Sequence, residues 1–200
     1  MRNFDRRDFL KYLAMSGASL YFSGCIASQS LDVKPKVFPM SFEPENLPAS
    51  IKIVLDDLPI LTTVSNNSQI EYPIVAGQIG KHPTPKGIFS VKRIVHKPRW
   101  YPPRTSGWVK DSKRLTKYLD STSNVDDRGN AFVPYGHKLH PLGEWKIGFS
   151  GPYCIHGNGD SAIDRGDRYT SHGCVRMRDK DIGSVADFCE KHKPLLIHIV

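Results

Sequence analysis

The sequence predicts a mainly β fold with few helices, and three observations carry that prediction. Short apolar runs at residues 51–55, 58–64, 70–75 and 88–94 are separated by Asp, Asn and Gly turns, the pattern of strands joined by tight connections. One stripe alone, Ile182, Val185, Ala186 and Cys189, follows the i, i+3, i+4, i+7 spacing of a helix packed on a core. Residues 195–200 then close the chain as another strand-length apolar run. No internal repeat, Walker loop or dinucleotide fingerprint competes with this reading.

Residues 1–24 are expected to be a signal peptide and are set apart from the fold. Arg2, Arg6, Arg7 and Lys11 precede an apolar run over 12–22, too short to span a bilayer as a mature helix. Asp5-Arg6-Arg7-Asp8-Phe9-Leu10-Lys11 resembles a twin-arginine export signal. Phe22-Ser23-Gly24-Cys25 resembles a bacterial lipobox, with Phe22 where an aliphatic residue is usual, and implies lipidation of Cys25. Ordinary cleavage near Ala27 is the alternative. Both outcomes place the domain in the cell envelope, on the periplasmic side, with a lipid anchor in the first case. Ile26 is not the Asp that commonly retains lipoproteins at the inner membrane.

Residues 25–50 read as a linker: Pro35, Pro39, Pro44 and Pro48 with few apolar clusters suit an extended tether. Residues 51–200 form the expected catalytic domain, long enough to bury a core without disulfide staples. Within it, residues 99–140 are the least regular stretch, with Trp100-Tyr101-Pro102-Pro103, Trp108 and a polar run through Asn130. Two readings stay open: a lid or groove wall, or a surface excursion with one aromatic cluster on the core. The lysines between Lys110 and Lys117 read as a solvated face. Toward the C-terminus, Asp181 is expected to cap the late helix, and Lys191, Lys193 and Pro194 to end it.

The chemistry concentrates in residues 154–177, CIHGNGDSAIDRGDRYTSHGCVRM. Cys174 follows His172-Gly173 and stands eighteen residues after His156. A cysteine attacks as its thiolate, so it needs a base and an environment that stabilises the anion. His156 and His172 are the candidate bases. Gly173 can adopt backbone angles closed to other residues, letting successive amides turn toward one point as an oxyanion hole. Strand alternation would put Cys154 and His156 on one face, where Cys154 either lines the site or packs beneath it.

The spacing of His156, fourteen residues, then Ser171-His172-Gly173-Cys174-Val175-Arg176 resembles the signature of the L,D-transpeptidase catalytic domain, also called YkuD. Thr84-Pro85-Lys86-Gly87, Pro141-Leu142-Gly143 and Ile155-His156-Gly157 resemble further blocks of that family. His140 and Asn158 depart from its commoner Asn and Thr. The resemblance implies a β-sandwich-like catalytic fold and a transferase acting in peptidoglycan synthesis, cell-wall biogenesis and cell shape. In it, Cys174 would be the nucleophile that takes a tetrapeptide stem as an acyl-enzyme. His156 would be the base, oriented by a backbone carbonyl near Gly157. Backbone amides around His172, Gly173 and Cys174 would form the oxyanion hole, with Ser171, Gly157 and Arg176 supporting the site. An amine acceptor gives a 3-3 cross-link. Water gives an L,D-carboxypeptidase, and a protein–peptidoglycan link gives an anchorase or its hydrolase. A wall-binding lipoprotein without catalysis is the reading of another class, disfavoured by the intact His156 and Cys174.

Other chemistry fits less well. The formal charge is +8, falling to about +6 without residues 1–24. No recognition helix, RNP-type aromatic motif or dense Lys/Arg run points to nucleic acid, whereas anionic wall polymers and lipid head groups suit the charge. His156, Asp160, His172 and Cys174 are conceivable zinc ligands, but no paired-ligand spacing supports a metal, and no cofactor is expected. A monomer is expected. With Cys25 lipidated, a Cys154–Cys189 bridge would leave Cys174 reduced, and free buried thiols are the alternative.

Overall fold

The computed structural model describes residues 49–66, 68–104 and 106–200. The expected signal peptide, Cys25 and nearly all of the expected tether lie outside the described residues. Strands β1 (Ala49–Val54), β2 (Ile60–Ser65) and β3 (Ser68–Pro73) form an antiparallel meander. Alternation in β1 buries Ile51 and Ile53 and exposes Lys52, as expected of a strand with one face on a core. In the edge strand β3 only Tyr72 is partly buried, and the other five residues are exposed.

After the short β4 (Ala76–Gly77) the expected single strand over 88–94 is two strands, β5 (Gly87–Ser90) and β6 (Arg93–His96). The reason lies in consecutive amides: Val91 N donates to Leu195 O at 2.9 Å and Lys92 N to Gly148 O at 2.8 Å. Leu195 adjoins a strand of one sheet and Gly148 lies within a strand of another, so the chain crosses between the sheets at this point. The first sheet has five strands in the order β3-β2-β1-β11-β5, with β11 (Leu196–Ile199) parallel to β1. The second has four in the order β10-β8-β7-β6. Here β7 is Trp145–Ser150, β8 is Tyr153–His156, and the two-residue β10 is Val175–Arg176. A third, small sheet joins β4 to β9 (Tyr169–Ser171).

Residues 99–140 hold two helices that the sequence reading did not separate, α1 (Gly107–Lys110) and α2 (Lys113–Ser121). Ser112 caps α2 by accepting from Leu115 N, which satisfies one of the amides a helix start leaves without a partner. Val109, Leu115, Leu119 and Val133 form a small core of their own. The excursion is therefore locally packed, and Lys110, Lys113 and Lys117 face solvent.

Helix α3 (Asp160–Arg165) ends at Gly166, whose φ of 78° is the left-handed cap glycine permits. Helix α4 is Asp179–Lys191, and the buried stripe is the expected one, Ile182, Val185, Ala186 and Cys189. The cap differs from the expectation. Arg178 is the N-cap residue, Asp181 lies in the first turn, and Asp160 Oδ2 accepts from Asp179 N at 2.9 Å. A carboxylate from another helix thus meets the positive end of α4. The stripe shares one core with Ile51, Ile53 and Ile197 of the first sheet and Ile147, Phe149 and Ile155 of the second. Each such side chain contributes about 1.5–3 kcal/mol on leaving water, so the core fixes the strands that carry the site. Among the described residues no helix is long and apolar enough to cross a membrane.

Candidate active site

Parallel pairing of β8 with β10 assembles the site. Val175 lies opposite Ile155 and Arg176 opposite His156. Ile155 is fully buried in the core, and alternation turns Cys154 and His156 to the other face. Cys174, one position before β10, therefore falls beside Cys154, and their Sγ atoms are 3.6 Å apart. One Cys154 sulfur, one His156 ring nitrogen and the Cys174 sulfur all lie within 4.8 Å of one another. Cys154 thus lines the site; it does not merely pack under it.

His156 is 3% exposed, and its Nδ1 lies 2.8 Å from Gly157 O. A carbonyl oxygen only accepts, so Nδ1 carries a hydrogen and Nε2 is the nitrogen left to exchange a proton with a thiol. The carbonyl expected near Gly157 is that of Gly157 itself. The Cys174 thiol is pulled well below its ordinary range, first by the hydrogen bond from Cys154 and further by the hydrogen bond and charge of His156, against the opposing effect of burial. Cys154 is pushed the other way by that same hydrogen bond and by burial. The two sulfurs are therefore biased in opposite directions, Cys174 toward thiolate and Cys154 toward thiol.

Ser171 staples the turn before Cys174. It is fully buried, its hydroxyl donates to Cys174 O, and the Gly173 amide donates to its Oγ at 3.1 Å. Gly173 has φ of 101°, and a Cβ there would lie 2.5 Å from Cε1 of Tyr153. Only glycine fits this turn. Because its amide is engaged by Ser171, the expected donation of Gly173 to an oxyanion requires that bond to be exchanged.

The His172 ring packs at a tilt against His82 with centroids 4.8 Å apart, and burial, then His82 and Arg176, lowers its basicity. It stands outside the Cys154–His156–Cys174 cluster. Arg176 is partly buried beside Cys174, and its Nε is buried with no hydrogen-bond partner among the described residues.

The loops around the site are tied by side chains of the family blocks and by Asp179, which sequence reasoning did not single out. Asp179 Oδ1 accepts from Asn158 N at 2.8 Å, holding Asn158 at a φ of 60°. Gly157 N donates to Leu142 O, and Asn158 Nδ2 to Pro141 O, which joins the Pro141-Leu142-Gly143 block to the Ile155-His156-Gly157 block. Thr84 Oγ1 accepts from Gly77 N at 2.8 Å. His140 Nε2 lies 2.7 Å from Pro98 O. Beside these loops opens a pocket of about 280 Å³ lined by Tyr135, His137, His140, Glu144, Asn158 and Asp179 among others. The end of the 99–140 excursion thus forms one wall of a cavity next to the site.

The metal-ligand set weighed from sequence is not brought together. Asp160 accepts the Asp179 amide and lies 3.9 Å from Arg178, while His172 packs against His82. Cys154 instead joins His156 and Cys174 as a two-sulfur, one-nitrogen donor set, a type that suits a soft or borderline cation. Cys154, Cys174 and Cys189 are all free thiols, so the Cys154–Cys189 bridge is not formed; Cys189 lies fully buried on α4.

Comparison with known proteins places this arrangement. In fold the chain is similar to an L,D-transpeptidase from Mycobacterium smegmatis, with a TM-score of 0.52 at 15% identity over 76% of this chain and 59% of the other. It is also similar to L,D-transpeptidase 3 from Mycobacterium tuberculosis, with a TM-score of 0.50 at 11% identity over 76% of this chain and 61% of the other. The chain thus spans about three fifths of the length of these solved proteins. Comparison with curated proteins finds no match. The model of the YkuD family, the L,D-transpeptidase catalytic domain, matches residues 48–197, three quarters of the chain, and the chain belongs to that family.

Proposed function

We propose that this protein is a cysteine-dependent acyltransferase that takes peptidoglycan tetrapeptide stems as donors and passes them to an amine. One observation carries the reading: a thiol with a depressed pKa beside a histidine whose far nitrogen is fixed by a backbone carbonyl. This is a nucleophile, a base and an orienter within reach of one another. The Cys174 sulfur attacks the carbonyl of the stem's third residue. The bond to the terminal residue breaks, and His156, carrying the thiol proton, delivers it to the leaving amine. An acceptor amine then attacks the thioester, gives its proton to His156 and restores the thiolate. In this scheme the turn amides at 172–174 stabilise the developing oxyanion, that of Gly173 after exchanging its bond to Ser171, and the cation of Arg176 favours a substrate carboxylate. The export signal and Cys25 lipobox support action at the envelope, anchored through lipid.

Incubation with disaccharide-tetrapeptides followed by mass spectrometry tests the proposal. Cross-linked dimer with release of the terminal residue is expected. Tripeptide alone would assign hydrolysis instead, and turnover undiminished in Cys174→Ala would remove the thiol mechanism.

A further inference from the structure

Cys154 is the buried nucleophilic group that the acyl-transfer scheme leaves unused, and three features of its position point the same way. The first is register. Val175 pairs with Ile155 in parallel, so one residue earlier on each strand sets Cys174 beside Cys154. Neighbouring strands lie about 4.8 Å apart, inside the roughly 4.4–6.8 Å between Cα atoms that a disulfide requires. The second is contact: the sulfurs are already 3.6 Å apart on the same face, so bonding asks for side-chain rotation and little backbone movement. The third is access. Cys154 is 2% exposed while Cys174 is only partly covered, so an oxidant from solvent meets Cys174 first.

We infer that Cys154 is a resolving cysteine for Cys174, closing a reversible disulfide across β8 and β10 when the site meets a hydroperoxide. The Cys174 sulfur attacks one peroxide oxygen, the O–O bond breaks and an S–O bond forms, leaving a sulfenic acid and an alcohol or water. Cys154 then attacks that sulfur. The S–S bond forms, the S–O bond breaks, and the departing hydroxide takes the Cys154 proton as water. Two thiols have lost two electrons to one peroxide, and a dithiol returns them by exchange. The opposite biases of the two sulfurs suit the order, with a thiolate to attack and a proton held in reserve for the leaving group. On the proposed function, which this regulatory sense rests on, the bridge removes the nucleophile reversibly and shields it from irreversible oxidation.

The test treats the full chain with hydrogen peroxide in the presence of a chelator, then maps peptides and follows iodoacetamide labelling of Cys174. The expected result is a Cys154–Cys174 linked peptide, the loss of two hydrogens with no gain of oxygen, and labelling cut by at least about tenfold and restored by dithiothreitol. In Cys154→Ser, Cys174 should instead gain oxygen, and labelling should return incompletely after reduction. Oxygen accumulating on Cys174 of the native chain, with Cys154 still open to alkylation, would overturn the proposal, as would a bridge to Cys25 or Cys189. Should Cys154→Ser not fold, the native peptide map decides alone. These readouts need no stem-peptide turnover, so a bridge in a chain that forms no cross-link counts against the transpeptidase reading only.

Discussion

The second sheet and the 99–140 excursion place side chains in different ways. Cys154 and His156 sit on β8, whose other face is the main core, and Cys174 directly precedes β10, so long-range pairing sets their spacing. Tyr135, His137 and His140 belong to an excursion with a separate core of four buried residues, and they line the neighbouring pocket. The groups proposed to react are held by the main core, and the cavity wall by a part with a core of its own.

The sharpest way to break this contrast is at the base. His156→Gln keeps a polar side chain but no base, and turnover should fall by about 10²–10⁴-fold with the melting transition little changed; the product assay and a thermal melt check both halves. Next come paired truncations. Ile155→Ala, under the site, should cost about 2–5 kcal/mol and slow Cys174 labelling. Leu119→Ala should raise hydrogen exchange within 107–133 while Cys174 labelling stays within about twofold. Equal labelling losses in both would erase the distinction between the regions.

Smaller still is the pH effect. The folded Cys174 pKa lies below the thiol's usual 9.0, so the thiolate contributes stability fully above pH 9, and that contribution is lost as pH falls through the depressed value. Its alkylation rate should stay nearly flat between about pH 8 and 6, where an ordinary thiol slows about tenfold per unit. Cys189, pushed up to about 12 by burial, should react slowly throughout that range. The smallest effect is expected at the exposed His96–Glu144 pair, 2.9 Å apart on the rim of the excursion. Glu144→Gln should shift stability by less than about 1 kcal/mol, read in denaturant melts.

Legibility in the sequence follows the same division. Apolar runs bounded by turn residues made β1 to β3 readable, and the four-residue stripe made α4 readable, because both are local patterns. The family motif brought His156 and Cys174 together before any geometry. What stayed hidden depends on contacts distant in the chain. Val91 and Lys92 split one apolar run between two sheets, Asp160 caps a helix nineteen residues away, and Cys154 meets Cys174 through a parallel pairing that no spacing rule announces. Helix α2 had a local signal that went unused, Ser112 before Leu115 and Leu119 at i, i+4.

The central claim, that Cys174 is the acylated nucleophile, is tested most directly by intact-mass and peptide analysis of the protein mixed with tetrapeptide stem. The account predicts an adduct with the mass of the acyl tripeptide on Cys174, absent from Cys174→Ala and discharged by an added amine. Product formation with the adduct on any other residue, Cys154 included, would contradict it.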